Sequence, residues 1–405
     1  MNDIMTLNSP KDWKLHRLGQ LFRERKEKGS DKDFSPLSVT MRGIVPQLES
    51  AAKSDDGDNR KVVRVGDYAI NSRSDRKGSG GISDHEGSVS LISIVLQPRD
   101  IDRRFSHHLL RSPAFQEEFY RWGHGIVADL WTTRYSDMKN IRLRVPDLPT
   151  QREIADFLDR ETARIDSLIE KKQQLVDMIA PRFEALIHVA RETGDWRRFG
   201  YSAQTTMRPI PLSSGAAYVP LGLYNRGRGF FQKPETAYDD LGDSSFCFVR
   251  KGDLVFSGQF AWEGAVGLVS DKEHDCVVSH RYPVYTGIEG ILSEYLFAYF
   301  RSHHGQFLMD NCSRGAAGRN RPLNTRILEK EKIPVPSIEL QKQVATLIEF
   351  ERRLKDKTSP SIDRLKEYRS ALITSAVTGQ IDVSTYARSG TTDRQLDAIQ
   401  SEMQA

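Results

Sequence analysis

Apolar residues recur at helical spacing through one long stretch of the chain, from Pro149 to Gly194. Charged side chains such as Arg152, Asp159 and Lys171 fall on the opposite face. A narrow apolar seam of this kind predicts one long amphipathic helix that pairs with another helix. The seam consists of Ile154, Leu158, Ile165, Leu168, Leu175, Ile179 and Leu186.

The stretch carries one signal for where the helix starts and one for where it bends. Thr150, with Glu153 three residues later, predicts a capping box at the start. Pro181 lies inside the stretch and predicts a kink, because a proline within a helix removes one hydrogen bond and clashes with the preceding turn. About 40 residues at ~1.5 Å per residue would extend roughly 60 Å.

The same stretch occurs a second time near the C-terminus. Val145-Pro146 and Val335-Pro336 lie 190 positions apart, as do Gln151 and Gln341. Ala185-Leu186-Ile187 returns after 186 positions, as Ala371-Leu372-Ile373, so the second copy is about one helical turn shorter. Ser359-Pro360 inside it predicts that the second helix stops and restarts there.

The segments that precede the two helices repeat as well. Gly66-Asp67 and Gly252-Asp253 lie 186 positions apart, while Arg111-Ser112 and Arg301-Ser302 lie 190 positions apart. Around the first of these turns, VVRVGDYAIN predicts strand, turn and strand. SVSLISIVLQP predicts a further strand, and the spacing between Arg104 and Arg121 is helical. The chain therefore consists of two tandem copies of a globular domain followed by a long helix.

This repeat predicts an α+β fold in which the two helices pair as an antiparallel coiled coil, with the copies related by a pseudo-two-fold axis. The second helix must then lead back from the second domain towards the first. The predicted divisions are 1–148 and 195–336 for the globular domains, 149–194 and 337–379 for the helices (the second broken near Pro360), and 380–405 for a C-terminal tail.

Composition narrows the class of protein. In the 405 residues, 38% are hydrophobic and 28% are charged, which suits a soluble chain with a core. No apolar run reaches membrane-spanning length, and the N-terminus lacks a signal peptide's apolar segment. The three cysteines are few and widely spaced, so we expect a reducing cytoplasm. A net charge of +4 permits nucleic-acid binding without requiring it.

Motifs for catalysis are absent from the sequence. There is no GxxxxGK[ST] phosphate loop, no H-E-x-x-H and no Cys-x-x-Cys pair. His107-His108 and His303-His304 fall in predicted amphipathic helices, so we expect surface or packing histidines rather than metal ligands. The sequence thus predicts no catalytic residue, no metal site and no cofactor site in this chain.

The two helical segments, together with the VGDYAINS and KGDLVFSG turns, resemble those of the specificity subunit of type I restriction–modification systems. The resemblance covers essentially the whole chain. It departs at the start of each helix, where the family often has Pro-x-x-Glu-Gln and this chain has Thr150-Gln151 and Leu340-Gln341.

The resemblance implies a function and a set of partners. Each globular domain would be a target-recognition domain that reads one half of a bipartite, asymmetric site in double-stranded DNA. The helices would set the spacing and dock two methyltransferase subunits, and subunits that both restrict and translocate DNA would complete the complex. S-adenosylmethionine, ATP and Mg²⁺ are then expected in those partner subunits, which would flip and methylate adenine.

Candidate DNA contacts are loop residues that combine basic, amide and aromatic side chains, because phosphates attract Lys and Arg and base edges need forked donors. The two loop sets differ strongly in sequence, which predicts different half-sites. The candidates are Asn71, Arg73, Arg76, Lys77, Trp131 and Arg134 in the first domain, and Arg226, Arg228, Gln259, Trp262, Arg319 and Arg321 in the second.

Two other functions remain open from the sequence. A purely structural coiled-coil adaptor would bind no DNA, and charge reversal at Arg73, Arg76 and Lys77 would then change nothing. A diverged DNA-modifying enzyme would cut or modify DNA as the purified chain alone.

Overall fold

The structure is a computed structural model of the chain. It describes Met5 and residues 9–47, 57–125, 131–211, 215–242, 244–315 and 321–401. The chain divides into two compact units. Unit 1 comprises Met1–Lys172 and Thr358–Ala405, and unit 2 comprises Gln173–Lys357.

Unit 1 contains eleven described strands, most of them three to six residues long. They are β1 (Lys14–Arg17), β2 (Phe22–Glu24), β3 (Lys28–Gly29), β4 (Leu37–Thr40), β5 (Gly43–Pro46), β6 (Arg60–Val63), β7 (Tyr68–Asn71), β8 (Gly80–Ile82), β9 (Gly87–Val89), β10 (Ser93–Pro98) and β11 (Arg142–Val145). All the strand pairs are antiparallel.

Helices of unit 1 pack on these sheets. α2 begins after Asp102, whose side chain accepts hydrogen bonds from the amides of Arg104 and Phe105. Ser112 caps α3, with Pro113 at its first position, so the predicted helical stretch is two helices. The helices are α1 (Leu18–Leu21), α2 (Arg103–Arg111), α3 (Pro113–Arg121), α4 (Tyr135–Met138) and α5 (Leu148–Asp177), the last of which ends in unit 2.

Unit 2 repeats this order with twelve described strands. They are β12 (Asp195–Arg198), β13 (Ala203–Thr205), β14 (Ala217–Tyr218), β15 (Leu221–Leu223), β16 (Phe230–Gln232), β17 (Thr236–Ala237), β18 (Phe246–Phe248), β19 (Leu254–Phe256), β20 (Val266–Leu268), β21 (Val277–Ser279), β22 (Val284–Gly287) and β23 (Lys332–Val335). Its helices are α6 (Ala180–Thr193), α7 (Ser293–Arg301), α8 (His303–Asn311), α9 (Thr325–Leu328) and the first part of α10 (Ile338–Val377).

The central sheets of the two units have equivalent topology. Unit 1 has a four-stranded sheet in the order β2-β10-β7-β8, and unit 2 has one in the order β13-β22-β19-β20. A two-stranded ribbon, β1-β11 or β12-β23, leads into the long helix of each unit. The mixture of helices with antiparallel sheets confirms the predicted α+β class.

Helix pairing contributes to the core of each unit. In unit 1, Ile154, Leu158 and Ile165 of α5 share a core with Leu365 and Leu372 of α10. In unit 2, Phe183 and Ile187 of α6 share a core with Val344 and Ile348 of α10. Of the predicted seam, Ile154, Leu158, Ile165 and Ile179 are buried and Leu168 and Leu186 partly buried, whereas Leu175 is 48% exposed.

The prolines act differently from the prediction. The first helical stretch is interrupted at Met178 and Ile179, and α6 restarts with Pro181 in its first turn. The second is a continuous helix through Pro360, so the predicted break near that residue is wrong. Pro360 lies on the exposed side of the helix, while the neighbouring Thr358 and Ser361 are buried, so packing on the other side continues past the proline.

The helix start and the C-terminal region also differ from expectation. α5 begins at Leu148, and the carboxylate of Asp147 accepts a hydrogen bond from the amide of Thr150 at 3.1 Å, so Asp147 replaces Thr150 as the cap. The region predicted as a tail forms α11 (Val383–Arg388) and α12 (Thr391–Ser401). Tyr386 lies against Phe157 with ring centroids 6.0 Å apart, so these helices cover the apolar side of α5.

Candidate nucleic-acid interface

The loop after β7 is held in shape by its own backbone and by Asn71. The Asn71 side chain is only 8% exposed, and its Oδ1 accepts a hydrogen bond from the amide of Arg73 at 3.0 Å. Residues Ser74–Arg76 then form one 3-10 turn. Asn71 therefore positions the loop from inside, while Arg73, Arg76 and Lys77 are exposed.

A second segment lies beside this loop, as the sequence interpretation supposed. The amide of Ser74 donates to the carbonyl of Trp131 at 3.1 Å, and the amide of Thr133 donates to Ser72 at 3.0 Å. Trp131 donates from its indole nitrogen to the Tyr120 carbonyl at 2.7 Å, which fixes its ring against α3. Arg134 follows as an exposed side chain at the start of α4.

The basic side chains of this loop differ in how tightly they are held. Arg76 is 70% exposed on its side chain and lies 3.8 Å from Asp75. Lys77 pairs with Glu117 and lies 5.8 Å from the centre of the Tyr120 ring. Such exposed pairs are weak, so both cations can exchange their present contacts for phosphate oxygens.

The candidate residues of unit 2 also come together. The amide of Arg226 donates to the carbonyl of Glu263 at 2.9 Å, and that of Gly227 donates to Gly264 at 2.7 Å. Arg226 has a φ of 59° and Gly264 a φ of 75°, so both turns use the left-handed region. Gln259 is exposed one residue after Gly258, which accepts a hydrogen bond from the amide of Leu323 at 2.8 Å.

Trp262 and Arg321 form a stacked pair in this cluster. The Arg321 guanidinium carbon lies 5.1 Å from the centre of the Trp262 ring, and Arg321 forms an ion pair with Asp310 at 2.7 Å. Arg321 also donates to the Asp310 carbonyl at 3.3 Å, as Trp131 donates to Tyr120 at the equivalent position of unit 1. Both residues therefore tie the second segment to a helix end.

Arg228 and Arg319 complete the predicted set. Arg228 lies 5.1 Å from the centre of the Tyr224 ring and donates to the Asn225 carbonyl at 3.0 Å. It faces a cleft that Arg301, Arg352 and Lys355 also line. Arg319 lies outside the described residues.

Each cluster is supported by one ion pair with a buried aspartate, and the sequence predicted neither pair. Arg25 binds Asp67 through two hydrogen bonds of 2.6 and 3.1 Å, and Arg208 binds Asp253 through two of 2.6 and 3.2 Å. The Gly-Asp turns signalled the two aspartates. The arginines gave no signal because they lie 183 positions apart, outside the offsets of the repeat.

Each ion pair fixes a turn: Arg25–Asp67 fixes the turn before β7, and Arg208–Asp253 the turn before β19. Asp67 also accepts from the Arg64 amide at 2.8 Å, which closes the turn, and the bond to Asp67 raises the pKa of Arg25. A bidentate guanidinium–carboxylate pair has one geometry, so the strand that ends at the candidate loop starts from a fixed position.

The paired histidines are structural. His107 is buried, which lowers its pKa to about 3, and its Nδ1 accepts from the Ile82 amide at 3.3 Å. His108 contacts Asp159 at 2.7 Å, a carboxylate neighbour that the sequence did not indicate. Among the described residues, no group of three or more His, Cys, Asp or Glu could hold a metal ion.

Two similar frames thus present loops of different side chains in the two units. Residues 218–359 match the type I restriction modification DNA specificity domain. These residues lie almost entirely in unit 2, and over them the match agrees with the resemblance found in the sequence.

One solved structure shares this fold, and two others show a weaker similarity. One, described as "Structural basis underlying complex assembly and conformational transition of the type I R-M system", has 16% identity and a TM-score of 0.54, with 92% of this chain and 99% of that chain covered. The HsdS subunit from Thermoanaerobacter tengcongensis has 16% identity and a TM-score of 0.38, covering 92% and 98%. The type I S subunit from M. genitalium has 15% identity and a TM-score of 0.49, covering 93% and 99%.

The search of curated proteins found no match. In the part of the chain that the structure describes, no helix is both long enough and apolar enough to cross a membrane.

Proposed function

We propose that this chain is the specificity subunit of a type I restriction–modification complex, in which each unit reads one half of a bipartite, asymmetric DNA site. The observation that carries the proposal is the pairing of equivalent frames with different loops. The Arg25–Asp67 and Arg208–Asp253 pairs fix the same turn in both units. The loop residues that follow differ: Arg73 and Arg76 in unit 1 correspond to the exposed Gln259 and the half-buried Trp262 in unit 2.

Different exposed side chains on one frame favour different base sequences. Arginine forms its best base contacts with guanine, and glutamine with adenine, because of their donor and acceptor patterns in the major groove. The basic residues around them would neutralise phosphates and set the register on the duplex. Two sites joined through helices of fixed length then read half-sites at a fixed separation.

The helices and partners complete the proposal. α5, α6 and α10 would serve as the spacer, pairing as an antiparallel coiled coil, and as the dock for two methyltransferase subunits. Adenine methylation would take place in those subunits with S-adenosylmethionine. The restriction/translocase subunits would use ATP and Mg²⁺. The complex would act in the cytoplasm.

The test is to co-express this chain with its neighbouring methyltransferase subunit in a host that lacks DNA methylation and to map modified adenines by long-read sequencing. The proposal predicts one bipartite, asymmetric motif with a fixed gap. A stable complex that modifies no adenine would point to a structural adaptor. Modification or cleavage by the purified chain alone would point to an enzyme.

A further inference from the structure

A cleft of about 510 Å³ lies in unit 1 beside the candidate loop. One wall is formed by α2 and α3, and the other by α5 and the last part of α10. Two arginines, Arg111 and Arg369, line it from opposite walls, and Gly78, one residue after Lys77, lies at its edge.

Arg111 is a half-buried cation that no carboxylate bonds within the described part of the chain. One terminal nitrogen donates to the Met41 carbonyl, and the other lies 3.3 Å from His107 Nε2. Both contacts are to neutral groups, since His107 is uncharged at neutral pH. The Met41 carbonyl therefore orients Arg111 without neutralising it, and N–H donors remain on all three of its nitrogens.

The equivalent residue of unit 2 shows how such a cation is normally satisfied. Arg301, 190 positions later, binds Glu351 through two hydrogen bonds of 2.7 and 2.9 Å. The residue equivalent to Glu351 is Glu161, which contacts Arg160 at 2.9 Å instead of Arg111. The buried pair of unit 2 is thus replaced in unit 1 by an arginine that faces an open cleft.

The remaining charges of the cleft are already engaged. Asp159 contacts His108 at 2.7 Å and Arg104 at 3.2 Å. Asp166 lies 2.9 Å from Arg369 Nε and accepts from its Nη2 at 3.1 Å. Burial and the nearby Arg369 lower the pKa of Arg111, as expected for two cations that face the same space.

We propose that this cleft binds a phosphate of the DNA backbone, with Arg111 as the principal ligand and Arg369 as the second cation. The inference rests on the proposed function and adds a phosphate site outside the loop residues. DNA is favoured as the source because the cleft adjoins the loop that carries Arg73, Arg76 and Lys77. A guanidinium fork matches the geometry of a phosphate, and an anion there would relieve the repulsion between the two arginines.

The sharpest test uses Ala163, an exposed residue that lines the cleft on α5. Ala163→Glu places a carboxylate where the phosphate would lie, and Ala163→Gln is its control of equal size. Binding of the co-purified methyltransferase complex is measured on target and unrelated DNA over a salt series. The Glu variant is expected to weaken binding to both on the order of tenfold, and to reduce the salt slope by about one, whereas the Gln variant is not.

A second pair of variants controls for folding. Arg111→Gln is expected to give the same change in salt slope, and Arg103→Gln at the exposed start of the same helix is not. Equal binding by Ala163→Glu and Ala163→Gln would overturn the proposal. So would loss of methyltransferase assembly with the salt slope unchanged, since the cleft would then hold a partner's carboxylate. If the wild-type complex bound no DNA, the proposed function itself would be wrong.

Discussion

The carboxamide of Gln151 accepts a hydrogen bond from the backbone amide of Asp102 at 2.8 Å and donates one to the carbonyl of Pro146 at 2.8 Å. Gln341 repeats both contacts in unit 2, with the amide of Leu292 at 2.8 Å and the carbonyl of Pro336 at 3.0 Å. The glutamine at each helix start thus ties the long helix to the loop before α2 or α7. These contacts are made by the glutamine alone, so they do not need the glutamate that the resembled family often has one position earlier, where this chain has Thr150 and Leu340.

Gln151→Ala is therefore expected to destabilise unit 1. The side chain is 2% exposed, so its loss leaves a buried amide and a buried carbonyl unpaired, at a cost of about 1–3 kcal/mol each. Thermal and urea unfolding of the variant is compared with that of Arg152→Gln, an exposed neighbour. An unfolding midpoint equal to that of the control would show that the connection is not stabilising.

The Arg301–Glu351 pair makes the stability of unit 2 dependent on pH. Burial opposes ionisation of Glu351, but Arg301 and Lys355 outweigh it and lower its pKa from 4.5 to about 2. Because the folded pKa is depressed, this stabilisation is fully present above the unfolded pKa and is lost as the pH falls towards 2. It is on the order of 3 kcal/mol at neutral pH.

Comparison of the wild type with Glu351→Gln checks this contribution. The difference in unfolding free energy is expected to be constant near neutral pH and to shrink as the pH falls below about 4.5. A difference that stays the same down to pH 2 would contradict a depressed pKa at Glu351.

Charge reversal at Arg76 and Lys77 separates DNA binding from folding. Both side chains are exposed, so we expect unfolding free energy to change by about 0.5 kcal/mol or less. DNA binding by the assembled complex should weaken on all sequences, with a smaller salt slope. Lys366→Glu, an exposed reversal on α10, is the matched control. Unchanged DNA binding would favour an adaptor that does not touch DNA.

Insertion of four residues into α10 tests the helices as a spacer. Four residues, slightly more than one turn, lengthen the helix by about 6 Å. We expect the mapped motif to change its gap while both half-sequences stay the same. Changed half-sequences with the same gap would refute the spacer role.

The repeat made much of the fold predictable from the sequence. Gly66-Asp67 and Gly252-Asp253 located equivalent turns, and the seam from Ile154 to Leu186 located the helices, because spacing and turn residues are local signals. Pro360 was misjudged because packing on either side decides whether a helix continues. Contacts between residues distant in sequence keep α10 helical at Pro360, and a local sequence pattern does not indicate such contacts.

The candidate site was predictable only in part. Exposed loop residues such as Arg76 and Gln259 were identifiable by type, and the structure places Trp131 beside the loop as supposed. The burial of Asn71 was not predictable, because an amide side chain near a loop is equally suited to contact DNA or to hydrogen-bond the loop's own backbone. Arg111 attracted no notice either, since its unusual feature is the absence of a carboxylate that its counterpart Arg301 possesses.

The most direct measurement maps modified adenines for Arg76→Ala and for Gln259→Ala, each co-expressed with the methyltransferase subunit. If each unit reads its own half-site, Arg76→Ala will relax or weaken one half of the motif and Gln259→Ala the other, with the gap unchanged. If either variant alters both halves, or the wild-type motif is a palindrome, the two units do not read different half-sites and the account is wrong.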